Sequence, residues 1–105
     1  MSSKNRGAVL EISKPFIVPV QTLAPAPYEL LKPIQVLVMA DGDEFVASFV
    51  DANIASGGAT IEEAVENFKD ILISTLEVLE AHRPEQLGPA PTKQLAVLRE
   101  FIRKR

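Results

Sequence analysis

Thr60-Ile61-Glu62-Glu63 opens the most constrained stretch of this chain. Thr60 can cap the free amides of a first helical turn while Glu63 reaches back to the amide of Thr60, the reciprocal pattern of a capping box. Behind it Ile61, Ala64, Val65, Phe68, Ile71, Leu72, Leu76 and Leu79 recur at helical spacing, and Pro84 stops the helix near His82. The result is a long amphipathic helix whose apolar stripe needs a surface to cover it. Its opposite side gathers Glu62, Glu66, Asp70, Glu77 and Glu80, with Ile73 standing among them. Core packing does not explain Ile73, so Glu62, Glu66, Asp70, Ile73 and Glu77 form a candidate partner-binding face. Single exposed apolar residues are common on solvated surfaces, which is the plainer alternative.

The surface for that helix lies just upstream. Ile34 to Ala40 is a nearly continuous apolar run of strand length, the pattern expected of a strand covered on both faces. Asp41-Gly42-Asp43-Glu44 reads as a tight turn, and Phe45 to Val50 as a second strand. Phe45, Ala47 and Phe49 share one face of it, Val46, Ser48 and Val50 the other. A third short strand around Ile54 to Ser56 is closed by Gly57-Gly58. The expected fold is α+β: a three-stranded antiparallel sheet with a long helix packed on it, spanning residues 34–83. Residues 1–33 read as an extended arm. In it, Pro15 and Pro19 confine the segments Val9 to Ile12 and Phe16 to Val20 to a sheet edge or to irregular structure. Ala24-Pro25-Ala26-Pro27 runs extended.

Residues 84–105 form a stiff connector, Leu87-Gly88-Pro89-Ala90-Pro91, and a last helix capped by Thr92. Leu95, Leu98, Phe101 and Ile102 fall on one side of that helix and are candidate oligomerisation residues. Arg99, Arg103, Lys104 and Arg105 suit the negative end of a helix, and a weak nucleic-acid contact is the sharper alternative.

At 105 residues the chain has room for one domain. A chain this short buries only about 60–70% of its unfolded surface, so a homodimer or a higher even-numbered assembly is expected. It has no cysteine, hence no disulfide, thiolate metal site or thiol nucleophile. The first residues lead into no apolar signal core, and the longest apolar run, Val36 to Ala40, is far too short to span a bilayer; no membrane contact and a cytoplasmic location are expected. Charge is unevenly spread. Residues 41–80 hold ten acids and one base, a net −9, against +2 before them and +4 after. Such a middle disfavours a phosphate backbone and favours a basic partner, unless it is simply a solvated surface.

Catalytic constellations are scarce. His82, the only histidine, sits at the expected helix end with no nucleophile placed near it. Asp41, Asp43 and Glu44 cluster oxygen ligands, but a calcium loop starting at Asp41 would need a glutamate where Ala52 stands. Gly57-Gly58 precedes a helix that opens with glutamates, which repel a phosphate. Neither an enzyme nor a cofactor or metal is expected.

The segment Asp43-Glu44-Phe45-Val46-Ala47-Ser48-Phe49 and the run Gly58-Ala59-Thr60-Ile61-Glu62-Glu63-Ala64-Val65-Glu66-Asn67 resemble the HicB-like antitoxin family. The resemblance covers roughly residues 34–83. It implies a partial RNase-H-like fold without nuclease activity, homo-oligomerisation, and neutralisation of a small basic RNA-cleaving toxin, HicA. A toxin-independent oligomerisation or regulatory domain is the alternative reading of the same fold.

Overall fold

One proline-limited segment joins three further strands in the main sheet of the computed structural model, which describes residues 14–105. The expected strand at Val9 to Ile12 lies outside the described residues. In chain order the strands are β1 (Phe16–Val20), β2 (Tyr28–Leu30), β3 (Ile34–Asp41), β4 (Glu44–Phe49), β5 (Ile54–Gly58) and β6 (Ile102–Lys104). Helix α1 (Ile61–Ala81) follows β5, and α2 (Pro89–Phe101) precedes β6. Short 3₁₀ turns at Val50–Ala52 and Pro84–Gln86 link them. The main sheet has four antiparallel strands in the order β1-β3-β4-β5, and β2 and β6 form a separate two-stranded ribbon.

The architecture is α+β, an antiparallel sheet with a long helix packed on it, but the sheet has four strands and not three. The fourth is β1. Pro19 lacks an N–H and would break a central strand; at an edge the missing donor faces outward and costs no ladder bond. The Gly42-Asp43 turn joins β3 to β4 with Asp41 opposite Glu44, and Gly42 takes the positive φ of 64° that such a turn requires.

Alternation sets the core. Ile34, Val36 and Val38 of β3, Ala47 and Phe49 of β4 and Ile54 of β5 point to one face and are buried against Ala64, Phe68, Leu72, Leu76 and Leu79 of α1. A fully buried side chain of this size contributes about 1.5–3 kcal/mol. The helix begins as expected: Thr60 Oγ1 accepts the Glu63 N–H at 3.0 Å. Glu63 reaches one residue further back than a capping box requires, accepting the Ala59 N–H at 2.6 Å. Gly58 lies so close to the first turn that a Cβ there would collide with the Glu63–Ala64 backbone, which accounts for glycine at the strand-to-helix junction.

The arm and the tail are parts of this core and not appendages. Val20, Leu23 and Tyr28 are buried from the one, Leu95, Leu98 and Ile102 from the other. The last helix starts earlier than expected, at Pro89 with Gly88 as N-cap, because a proline in the first turn lacks only an N–H that would have no helical partner. It also ends earlier. Ile102–Lys104 leave the helix to pair with Tyr28–Leu30, and the ribbon is extended by Leu31 N–H to Phe101 O at 2.7 Å and Arg105 N–H to Pro27 O at 3.0 Å. The basic residues 103–105 therefore do not cap a helix. Gln94 Nε2 donates to Ala52 O at 2.7 Å and fixes α2 against the turn after β4.

Candidate functional site

Two exposed surfaces stand out among the described residues. The first is the outer side of α1. At 100° per residue, Glu62, Glu63, Glu66, Asp70, Glu77 and Glu80 fall within an arc of about 100°, and all six are exposed. Lys69, half-buried, bonds Glu66 at 3.3 Å, and Arg99 of α2 meets Glu80 at 3.2 Å. Tyr28, buried beneath the ribbon, donates its O–H to Glu77 Oε2 at 3.0 Å. Burial raises the pKa of this phenol above its ordinary value, followed by the hydrogen bond to Glu77 and the negative charges of Glu77 and Glu80. Among the described residues, Glu62 and Asp70 meet no cation.

Ile73 is not the isolated side chain that the helical wheel suggests. It is half-buried and packs against the core, because Tyr28 and its ribbon lie along that flank of α1 and reach Glu77 one turn on. The opposite flank has no such cover. Ile71, expected in the core, is 42% exposed, and Val78, two turns further on, is 58% exposed. These two lie about 60° from the edge of the acidic arc on the helix surface. Val78 also borders a groove of about 310 Å³ with Ser74, Thr75 and Gln94, between α1 and α2.

The second surface is the face of the sheet turned away from α1. The register places Ile17, Leu37, Ser48 and Ala55 in one row across all four strands. Met39, Val46 and Gly57 make a second row, and Pro19 beside Gln35 a third. These three rows carry no charge, but a fourth, Asp41 beside Glu44, ends the face in two exposed carboxylates, and Glu44 Oε1 lies 3.4 Å from where a Cβ on Gly57 would stand. Ile17 is 52% and Met39 41% exposed. Among the described residues strand β3 is therefore covered on one face only, contrary to the expectation drawn from its nearly continuous apolar run. A groove of about 300 Å³ runs over Ile17, Leu37 and Ser48 to Val50 and Phe101.

The oligomerisation residues expected on the last helix are largely occupied within the protomer. Leu95, Leu98 and Ile102 are buried, and Phe101 is half-buried, stacked edge-on against Phe49 with centroids 5.0 Å apart and with Lys32 Nζ 4.5 Å above its ring. Of the basic residues, Arg99 pairs with Glu80 and Arg103 with Glu29 across the ribbon, while Lys104 and Arg105 are exposed. His82 is exposed at the end of α1, its Nδ1 2.8 Å from the Val78 carbonyl. Among the described residues no three His, Cys, Asp or Glu side chains converge to hold a metal ion, and no helix is long and apolar enough to cross a membrane.

Sequence reasoning located the acidic arc and missed the open sheet face. The available signal was parity: residues 35, 37 and 39 oppose residues 46 and 48, and a single amphipathic helix has one stripe and covers one face. No family model, curated protein or solved structure matches the chain.

Proposed function

We infer that the protein is a non-catalytic binding module of the HicB-like antitoxin type, which neutralises a small basic partner, a HicA-like RNA-cleaving toxin, by occupying its RNA-facing surface. The observation that carries this reading is the acidic arc of α1, six exposed carboxylates on one helix of a chain that is otherwise near neutral or basic. A protein that acts on RNA presents positive charge to phosphate, and an inhibitor can meet that charge with its own. The Gly58-to-Asn67 run and the strand–turn–strand order before it add the family likeness. Glu62, Glu66, Asp70 and Glu77 supply the field. Ile71 and Val78 provide the apolar anchor in place of Ile73, since a desolvated apolar contact slows dissociation.

The test looks in the native host for a neighbouring short reading frame that encodes a basic protein, whose absence counts against the reading, and uses that protein. RNA cleavage by that protein should stop on addition of an equimolar amount of this one, and Glu66→Lys with Asp70→Lys should slow association most at low salt. No inhibition of cleavage, or association unchanged by the reversals, sinks the reading. A toxin-independent oligomerisation domain is the second reading, favoured by the open sheet face.

A further inference from the structure

Helix α1 carries a second pattern beside its core-facing stripe. Asn67, Ile71, Ser74, Val78 and Ala81 follow one another at alternate spacings of four and three residues, and all five are exposed. That alternation is the seam pattern of a coiled coil, in which branched side chains enter holes on a facing helix. Ile71 and Val78 are the branched members here, and Ser74 and Ala81 are small enough to let a second backbone approach. Asn67, whose Nδ2 donates to the Gly57 carbonyl at 2.9 Å, closes the strip at the sheet edge. Core packing uses none of the five, since the buried stripe of Ala64, Phe68, Leu72, Leu76 and Leu79 lies to one side. Along the other side Glu63, Asp70 and Glu77 repeat every seven residues. The strip drifts by about 20° per heptad, the offset that a left-handed supercoil of two helices absorbs.

We propose that this strip is the docking seat of an amphipathic helix from a basic partner, with cations on the flank that meets Glu63, Asp70 and Glu77. The inference rests on the reading of a basic partner, though not on that partner being a toxin, and it gives the contacting element a shape. The space fits a helix. Ser74, Thr75, Val78 and Leu79 face Gln94 of α2 across the groove of about 310 Å³, and the bond from Gln94 to Ala52 O holds that wall in place. A helix laid along α1 rests in this groove with α2 at its side. From Asn67 to Ala81 the seat is about 21 Å long, room for about four turns. Charge selects the occupant. A nucleic acid would meet carboxylates and be repelled, and a second copy would bring an acidic arc of its own. Lysine or arginine beside an apolar seam speeds the encounter, and burial of Ile71 and Val78 slows release.

The probe is a synthetic helix of about three heptads, with leucine at its seam positions and lysine on both flanks. It is titrated against the full chain and followed by amide NMR. Shifts should centre on Ile71, Ser74, Val78 and Gln94, and binding should saturate at a single peptide per chain. Ser74→Trp fills the seat without touching a carboxylate. It and Val78→Glu should each weaken binding at least about tenfold while melting near wild type. Val50→Glu, at an exposed position away from α1, should leave the affinity unchanged, and Asp70→Lys should weaken it most at low salt. A peptide of the same composition with its seam scrambled should bind at least about tenfold more weakly. Equal binding of the scrambled peptide, no saturable binding of the probe, or unchanged affinity in both seat variants overturns the proposal. Each of those results leaves the RNA-cleavage assay to judge the toxin reading by itself. A chain that binds the probe at the seat and inhibits no cleavage keeps the seat and loses the toxin.

Discussion

Strand β3 turns its even-numbered residues to the helix and its odd-numbered residues to the other face, and the odd set is the more polar of the two. Ile34, Val36 and Val38 are fully buried; Leu37 is half-buried, and Gln35, Met39 and Asp41 are exposed. Part of the cause lies outside the strand. Helix α1 has one apolar stripe and can dry one face, and no second element returns across the other among the described residues. An uninterrupted apolar run thus specifies a strand without specifying how many of its faces the same chain will cover.

The largest effect that can break this comparison concerns the last helix. Truncation after Leu87 removes Leu95, Leu98 and Ile102 from the covered side together with β6. The truncated chain should lose its cooperative thermal transition, and a folded remainder would show that the tail is an accessory after all. Next in size is a matched pair of substitutions. Phe68→Ala, beneath the covered face, should cost about 3–5 kcal/mol in urea denaturation, a large share of the roughly 5–15 kcal/mol typical of a domain. Met39→Ala, on the open face, should cost within about 0.5 kcal/mol. Equal losses would mean that both faces are dry.

Tyr28 sharpens the comparison from the ribbon side. Tyr28→Phe removes a hydrogen bond to a carboxylate and should cost about 1–2 kcal/mol. The sign of its pH dependence follows from the raised pKa. The folded phenol stays protonated to higher pH than the unfolded one, so its stabilising contribution is complete below the unfolded value near 10 and is lost as pH rises through the higher folded value. Alkaline unfolding should flatten in the Phe variant, and an unchanged profile would remove Tyr28 from the account. The smallest effect on stability belongs to the acidic arc. Asp70→Lys should shift the melting transition little, since exposed charges contribute within about 0.5 kcal/mol, while altering association with a basic partner.

The expected and observed boundaries differ where distant segments meet. Helix α1 was legible because its signals are local: a capping threonine, a run at helical spacing and a terminating proline all act within a few residues. The hairpin was legible for the same reason. The exit of Ile102–Lys104 from helix to strand was not, because its cause is Tyr28–Leu30, seventy-odd residues away, where three backbone pairings compete with one more helical turn. The acidic arc was legible from spacing, but which of its apolar neighbours stays wet was not. Ile73 packs against the core while Ile71 is 42% exposed, the reverse of their places on the helical wheel.

By itself the sequence determined the α+β class, the long capped helix, the Gly42-Asp43 turn and the segregation of acid to the middle of the chain. Each follows from side-chain chemistry acting over at most one or two turns. The tertiary structure alone decided that the arm supplies the edge strand, that the tail closes the ribbon, that Leu95 and Leu98 are interior, and that no second described element covers the other sheet face. Those outcomes depend on which apolar surfaces reach one another first-hand in three dimensions, and hydrophobic burial is non-directional: it rewards contact without naming the partner.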